Sequence, residues 1–334
     1  MPQPVPRISL DDPQALLSVL QQQSGPVVLE QLVADWPMVS AARDSDAALL
    51  DYLRRFDVGK MVKAFGGDAS MQGRYFYNDD MSGFNFNSVS LPFTDVLERL
   101  GRAPEEDEPA HFYVGSTTLD SCLPGIRDNN DVALTTTNPL VSLWLGNQSR
   151  IACHFDAPSN LACCVAGQRR FTLFPPEQIA NLYPGPVHLT PAGQTISLVD
   201  FHAPDLERFP RFEEALKHGL IADLSPGDAL YVPSMWWHHV EGLSTVNGLI
   251  NYWWRDEPAY LGQPMAALEH ALLSLRQLPA SQRQSWLALF DYYIFADNDL
   301  ATAHLPDHLL GPLGDMDERQ ARTLRAMLLN RLNR

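Results

Sequence analysis

The sequence predicts a mainly β protein with flanking helices: a double-stranded β-helix, or jelly roll, followed by a C-terminal helical segment. Between residues 110 and 255 the chain contains short runs that are rich in aromatic and β-branched residues and are mostly bounded by Gly or Pro. Many short strands separated by turns, with few helical patterns between them, indicate a sandwich or barrel. The runs are AHFYVG, VSLWLG, NLACCVAG, RRFTLFPP, DALYVP and NGLINYWW.

The first third of the chain, residues 1–109, mixes helix and strand signals and is predicted to be an α/β segment that packs on the core. Asp11 and Asp12 are candidate caps for a helix that carries several leucines, and GPVVLEQLVADWP reads as a buried strand followed by a turn. LPFTDVLERL, residues 91–100, has helical spacing. The acidic run at 105–109 is predicted to be a solvated loop.

The last segment, residues 256–334, is predicted to be helical and to mediate dimerisation. PMAALEHALLSLRQL has leucines at helical spacing between two prolines, and SQRQSWLALFDYYIF and DERQARTLRAMLLNRL give two further amphipathic helices. So short a segment is too small for a large core of its own, so we expect it to pack on the barrel or on a second copy of itself.

Charge and cysteine usage limit the expected partners and compartment. The 334 residues contain 24 Lys and Arg against 40 Asp and Glu, a formal net charge of −16. Such a chain repels phosphate backbones and anionic lipid, so neither nucleic acid nor a membrane is an expected partner. The N-terminus does not resemble a secretory signal, and the four cysteines form no CxxC pair. The expected location is the cytoplasm.

The stretch CHFDAPSN places His154 and Asp156 two positions apart at the end of a predicted strand. Strand side chains alternate, so both side chains point to one face and present an imidazole and a carboxylate to one point. Roughly one such pair is expected by chance in this composition, so the motif alone is weak. His239 and Glu241 have the same kind of spacing and are interpreted as a chance match.

A third metal ligand is available in SPGDALYVPSMWWHHVEG, residues 225–242. Non-haem iron(II) oxygenases hold their metal with two histidines and one carboxylate on one face. After the turn at 226–228 and the strand at 229–233, His238 and His239 follow, and alternation allows only one of them to face the first pair. The alternative is that these histidines cap buried tryptophans.

Arg169 is predicted to be a cation on an apolar strand face. In RRFTLFPP it shares a face with Phe171 and Leu173, whereas Arg170 lies on the other face. An unpaired buried guanidinium is costly, so Arg169 needs an anionic partner. Arginine forms bidentate pairs with carboxylates, so this partner is either a dicarboxylate cosubstrate or an internal Asp or Glu.

These motifs together resemble one family. HFD, the following Asn, GQRRFTLFPPEQIANLYPGPVH, PGDALYVPSMWWHHVE and INYWW are similar to the cupin-8 branch of the JmjC oxygenases, and within it to the asparaginyl hydroxylases. The resemblance runs from about residue 110 to 255, and GPVVLEQLVADWP is similar to the N-terminal segment of that branch. It implies a cupin-like JmjC jelly roll that binds Fe(II) and uses 2-oxoglutarate as cosubstrate.

The resemblance also implies roles for individual residues. It selects His238 rather than His239 as the third iron ligand, beside His154 and Asp156. Arg169 stands where the family has a lysine that holds the far carboxylate of 2-oxoglutarate, and Ile151 stands where the asparaginyl hydroxylases have a threonine that contacts it. The remaining pocket residues that it implies are Tyr113, Asn160, Asn251 and Trp253.

The implied activity is hydroxylation of a protein or peptide side chain, with O₂ consumed and succinate and CO₂ released. Two alternatives stay open from the sequence: a 2-oxoglutarate oxygenase that acts on a small molecule, and a metal-binding cupin module without turnover. The resembled hydroxylases dimerise through C-terminal helices, so a homodimer is expected. The loops at 66–90 and 115–138 are the expected rim of the substrate site.

Overall fold

The computed structural model describes residues 2–102, 110–132, 134 and 138–333. The predicted acidic loop at 105–109 and the end of the first segment therefore lie outside the described residues, as does part of the predicted rim at 115–138. The chain forms two compact units, residues 1–255 and 256–334.

Two β-sheets form the first unit, and the predicted jelly roll is confirmed. The smaller sheet contains, in spatial order, β1 (Gln3–Pro4), β12 (Leu220–Leu224), β11 (Arg169–Phe174), β14 (Trp237–Gly242), β9 (Ser149–Phe155) and β5 (Arg74–Tyr75). The larger sheet contains, in spatial order, β2 (Arg7–Ile8), β3 (Val27–Leu29), β13 (Ala229–Val232), β10 (Ser159–Ala166), β15 (Asn247–Trp254), β8 (Leu140–Gly146), β7 (His111–Thr118), β4 (Met61–Gly67) and β6 (Asn87–Pro92). Strands from before residue 110 thus extend both sheets.

Helices cover the outer face of the larger sheet. They are α1 (Leu16–Gln21), α2 (Pro37–Asp44), α3 (Asp46–Arg54), α4 (Phe93–Arg102) and α5 (Leu119–Cys122), and all five contribute buried side chains to one apolar core. The helix α6 (Phe212–His218) lies beside the smaller sheet, where Phe212 packs against Phe174 of β11. In α4 the predicted helical spacing buries Phe93, Val96, Leu97 and Leu100 completely. Asp12 accepts a hydrogen bond from the Gln14 amide and caps the turn that leads into α1.

A second apolar core lies between the two sheets. Phe171 and Leu173 of the smaller sheet pack there with Ala162 and Leu230 of the larger sheet. Because strand side chains alternate, residues two positions before or after these on the same strand also face this interior. That rule brings Arg169, the first residue of β11, to the inside of the barrel, next to an otherwise apolar set of side chains.

The second unit is helical, with α7 (Pro264–Leu275), α8 (Ala280–Phe290), α9 (Asn298–Thr302) and α10 (Glu318–Leu332). A capping box between Asp317 and Gln320 begins α10. Tyr260 links the ends of the unit, since its hydroxyl donates to the Met316 carbonyl at 2.8 Å and its own carbonyl accepts from Arg325 at 2.7 Å. Among the described residues, no helix combines the length and apolar character needed to cross a membrane.

Candidate metal and cosubstrate site

The pairing of β9 with β14 brings the three predicted metal ligands together. His154 lies directly opposite His238 in the antiparallel register, and their ring centroids are 4.4 Å apart. Asp156 follows β9, and its Oδ2 is 3.6 Å from His238 Nε2. One potential ligand atom from each residue lies within 4.8 Å of the other two. Two atoms that each lie about 2.1 Å from a common ion are at most about 4.2 Å apart, so small movements suffice for shared coordination.

Backbone carbonyls orient both imidazoles. His154 Nδ1 is 2.9 Å from the Ala152 carbonyl oxygen, and His238 Nδ1 is 3.0 Å from the Trp236 carbonyl oxygen. A carbonyl only accepts, so each Nδ1 carries the proton and donates it. The lone pair of each Nε2 is then free for a metal, which is the usual arrangement of metal-binding histidines.

Gln194 holds the carboxylate of Asp156. Its Nε2 donates to Asp156 Oδ1 at 2.7 Å, which leaves Oδ2 toward His238. Burial raises the pKa of Asp156, but the nearby imidazoles of His238 and His154 and the hydrogen bond from Gln194 outweigh it and lower the pKa overall. The sequence reasoning missed Gln194 because it lies in a loop 38 positions away along the chain.

Protonation also favours metal binding at this site. Burial, followed by the charge of His238, lowers the pKa of His154 to about 4. His154 is therefore neutral and Asp156 ionised at neutral pH, and these are the forms that bind metals. Two histidines and one carboxylate on one face are the donor set of non-haem iron(II) oxygenases, so the residues fit that ion.

The neighbouring His239 points to the opposite face of β14. Its ring lies 4.8 Å from the ring of Phe201, and burial lowers its pKa to about 3. Of the two adjacent histidines, His238 is therefore the one that the structure places beside His154 and Asp156. The alternation of a strand required that one histidine turn away, and the pairing with β9 determines which one.

Arg169 is buried in the barrel without an acidic partner. Its side chain lines a small pocket, its Nε has no hydrogen-bond partner, and within the described part of the chain no carboxylate forms an ion pair with it. Burial lowers its pKa. The adjacent Arg170 forms two hydrogen bonds with Asp223, at 2.7 and 3.2 Å. Among the described residues there is thus no internal Asp or Glu that pairs with Arg169.

Tyr113 and Ile151 line the same small pocket as Arg169, together with Trp144. The Tyr113 ring stacks on Phe65 at 5.1 Å and contacts Trp144 at 6.4 Å, and burial raises the pKa of its hydroxyl. A bulge in β9 lies between Ile151 and His154. Tyr113, Ile151 and Arg169, which the sequence predicted to surround the far carboxylate of 2-oxoglutarate, therefore line one pocket in the barrel interior.

The three other predicted pocket residues also retain unused polar atoms; Asn160 and Asn251 are buried, and Trp253 is partly buried. Asn251 Oδ1 accepts from Trp144 Nε1 at 2.9 Å, but its Nδ2 has no partner. Asn160 Oδ1, Trp253 Nε1 and Ser142 Oγ are likewise buried and unsatisfied. Leaving a buried polar group unsatisfied costs about 1–3 kcal/mol, so these atoms indicate a polar ligand inside the barrel. Ser142 and Trp144 are additions that the sequence reasoning missed.

The fold and site together define a double-stranded β-helix protein with a two-histidine, one-carboxylate metal site. In a comparison with models of known protein families, the family described as "Cupin-like domain" matches residues 13–260. The chain belongs to this cupin-8, JmjC-type family, which is related to the 2-oxoglutarate-dependent oxygenases, and the predicted resemblance is confirmed.

Several known proteins are similar to parts of the chain. HSPB1-associated protein 1 of Rattus norvegicus is 37% identical over 134 residues, which cover 40% of this chain and 27% of that protein. Lysine-specific demethylase JMJ31 of Arabidopsis thaliana is 31% identical over 117 residues, 35% of this chain and 21% of that protein. The tRNA wybutosine-synthesizing protein 5 of Danio rerio is 32% identical over 242 residues, 62% of this chain and 69% of that protein. The chain therefore spans only about a quarter of the first two relatives.

Proposed function

We propose that the chain is an Fe(II)- and 2-oxoglutarate-dependent oxygenase that hydroxylates a protein or peptide side chain. One observation carries this proposal: the ligand cluster of His154, Asp156 and His238 and the unpaired cation Arg169 belong to the same barrel, and Arg169 faces its interior. A metal-binding module without turnover needs the ligand cluster but does not need a buried, unpaired guanidinium. A cosubstrate with two carboxylates uses both features.

Each residue of the metal cluster has a definite task in this proposal. Bound iron(II) would supply activation of O₂ and oxidative decarboxylation of the cosubstrate. His154 and His238 present oriented Nε2 lone pairs because their Nδ1 atoms donate to carbonyls. Asp156 supplies the negative charge, and Gln194 fixes its rotamer. Three protein ligands on one face leave the opposite face for cosubstrate and O₂.

The interior residues bind and orient the cosubstrate. The Arg169 guanidinium pairs with the far carboxylate of 2-oxoglutarate, and Tyr113, on the same pocket wall, provides a hydroxyl donor for that carboxylate. The unsatisfied amide and indole atoms of Asn251, Asn160 and Trp253 supply further polar contacts. The apolar core around them excludes water, which strengthens these interactions.

A polypeptide substrate suits the charge and the rim of the site better than RNA does. One relative is named as a lysine-specific demethylase and another as a tRNA-modifying protein. The formal charge of −16 opposes binding of a polyanion, which favours the protein class. Beside the metal ligands, Phe76, Met81 and Phe84 pack with Ala152, close to the segment that carries Gln194. Apolar side chains at the rim suit a peptide.

We also propose a homodimer formed through the C-terminal helices, in the cytoplasm. Large apolar side chains on residues 256–334 are exposed, including Leu273 at 78% and Phe295 at 74%. All four cysteines are free and buried, which suits a reducing compartment. Light scattering of the chain and of Leu273→Glu tests the dimer: a monomeric mass for the unsubstituted chain contradicts it.

The activity is tested by succinate release from 2-oxoglutarate with Fe(II) and ascorbate in air. We expect turnover by the chain, loss of turnover in Asp156→Ala and Arg169→Ala, and retention in Arg170→Ala, which removes an equivalent charge from the other face. Neither turnover nor 2-oxoglutarate binding by the folded chain contradicts the proposal. Incubation with peptide pools and mass spectrometry then tests the substrate class, since oxidation of a small metabolite pool alone supports the small-molecule alternative.

A further inference from the structure

A second group of potential metal ligands lies on the outer face of the smaller sheet. His239 and Glu241 project from β14 on the face opposite to His238, and His202 reaches them from the loop before α6. Ligand atoms of these three residues lie within 4.8 Å of one another, a limit that the first site also meets. The pair His239 and Glu241, which the sequence suggested was a chance match, thus has a third partner in space.

His239 is the strongest indication of a ligand at this group. The residue is only 5% exposed, and neither ring nitrogen has a partner in hydrogen-bond geometry among the described residues. The Ile151 backbone raises the pKa of His239 but offers neither ring nitrogen a hydrogen bond of acceptable geometry. An imidazole has at least one donor and one acceptor or cation-binding nitrogen, so burial of both without partners is unfavourable unless a ligand fills the gap.

His202 and Glu241 give the group a carboxylate and a route to solvent. His202 Nε2 lies 2.5 Å from Glu241 Oε1, and the His202 side chain is 49% exposed. Both residues line an open cavity of about 290 Å³ that also borders Arg150. Arg150 and Arg74 lie within 3.9 and 3.5 Å of Asp200, so that carboxylate offsets part of their positive charge. An ion can therefore enter from the cavity.

We propose that His202, His239 and Glu241 bind a second divalent transition-metal ion, with Zn²⁺ the preferred ion. Two imidazole nitrogens and one carboxylate oxygen with a water-accessible fourth position are a common zinc donor set. A simple ion pair between His202 and Glu241 accounts for two of the three residues. It leaves the buried nitrogens of His239 unexplained, whereas a shared ion accounts for all three.

The second ion would join two parts of the chain next to the first site. It would tie the loop at 200–202 to β14, one residue away from His238. Its expected role is therefore structural support of the strand that carries an iron ligand. The proposal stands independently of the oxygenase activity, because it rests on the opposite face of the sheet.

Zn²⁺ binding by a chain that lacks the first site tests the proposal. In His154→Ala/Asp156→Ala, equilibrium dialysis with metal analysis is expected to show one bound Zn²⁺ per chain. Adding His202→Ala or Glu241→Gln is expected to weaken Zn²⁺ binding by at least 100-fold. His218→Ala is the matched control, because His218 also lies beside a carboxylate, 3.2 Å from Glu214, but has no third ligand in the described structure. This control is expected to bind Zn²⁺ unchanged.

Thermal unfolding gives a second readout. Saturating Zn²⁺ is expected to raise the Tm of His154→Ala/Asp156→Ala by roughly 5 °C, and this rise is expected to disappear when His202 is also replaced. The half-exposed position of His202 makes its variant a mild one for folding, and circular dichroism checks this. No Zn²⁺ binding by the folded double variant, or equal binding with and without His202, overturns the proposal. Absence of succinate release in the separate activity assay does not affect it.

Discussion

Strands β11 and β14 each carry two identical neighbouring residues that face opposite sides of the same sheet. On β11 the pair is Arg169 and Arg170, and on β14 it is His238 and His239. The members of each pair have the same chemistry and nearly the same place in the chain. Their differences therefore come from the two environments, the barrel interior and the outer face.

The arginines show how an unmatched charge identifies a ligand site. Arg170 on the outer face pairs with Asp223 of β12, directly opposite in the register. Arg169 faces the interior opposite Leu224, and no carboxylate among the described residues forms an ion pair with it. The outer cation is satisfied within the folded protein, whereas the inner cation lacks a partner, which the proposed anionic cosubstrate would supply.

The histidines differ in the support that the protein gives them. His238 donates to a backbone carbonyl and lies beside Asp156, so it is ready to bind a metal. His239 has no hydrogen-bond partner of its own among the described residues and lies near His202 and Glu241. The oriented ring of His238 fits the metal site that the family uses. The unsatisfied ring of His239 instead indicates a second bound ion.

The largest expected effect comes from removing the carboxylate of the interior site. Asp156→Ala is expected to weaken Fe(II) binding by more than about 100-fold, since a direct ligand matters at least as much as its supporting contacts. Anaerobic Fe(II) titration measures this change. Asp223→Ala removes a carboxylate from the outer face and is expected to leave Fe(II) affinity within a factor of two; equal losses in the two variants would contradict the ligand assignment.

Replacing Arg169 by an apolar residue is expected to stabilise the chain while it abolishes cosubstrate binding. Arg169→Met removes an unpaired buried cation, so in the absence of 2-oxoglutarate the free energy of unfolding is expected to rise by roughly 1–4 kcal/mol. Arg170→Met loses an exposed ion pair, so its free energy of unfolding is expected to fall by about 1 kcal/mol or less. Urea unfolding measures both, and a destabilised Arg169→Met would show that an internal partner satisfies this cation.

Removing the support of Asp156 is expected to have a smaller effect than removing Asp156 itself. Gln194→Ala deletes the hydrogen bond to Oδ1 and is expected to raise the Fe(II) concentration for half-maximal succinate release by about 10-fold. Gln148→Ala serves as the control, because Gln148 lines the cavity beside His202 and Glu241 and makes no contact with Asp156. An unchanged iron requirement in Gln194→Ala would indicate that this contact does not orient the ligand.

The smallest expected effect comes from adding a hydroxyl to the pocket. Ile151→Thr places a donor near Arg169 and is expected to tighten 2-oxoglutarate binding by about fivefold, the gain from one hydrogen bond. Isothermal titration calorimetry measures the Kd. Ile151→Val removes a similar volume without a hydroxyl, so equal effects of the two substitutions would assign the change to packing rather than to the new hydrogen bond.

Local patterns predicted the jelly roll and three candidate residues of the interior site, His154, Asp156 and Arg169. The resemblance to the family supplied the others, which are Tyr113, Asn160, Asn251 and Trp253. Strand alternation predicted that Arg169 shares a face with Phe171 and Leu173, and both of these pack in the barrel core. Alternation could not choose between His238 and His239, because that choice depends on pairing between β14 and β9. The resemblance to the family selected His238 before the pairing was known.

Contacts between distant segments could not be predicted in this way. Gln194 reaches Asp156 from a loop, and His202 reaches Glu241 across 39 positions. Neither contact follows a strand or helix period, so no local pattern indicates it. The contribution of early strands to both sheets likewise depends on long-range pairing, such as that of β3 with β13.

Calorimetric titration of 2-oxoglutarate into the metal-loaded chain, Arg169→Ala and Arg170→Ala is the most direct test of the interior site. Losing one partner of a buried charge pair costs about 2–5 kcal/mol, so Arg169→Ala is expected to raise the Kd by roughly 30-fold or more. Arg170→Ala is expected to keep the Kd within a factor of two. Equal Kd values for the two variants, or no binding by the unsubstituted chain, would contradict the assignment of the barrel interior as a 2-oxoglutarate site.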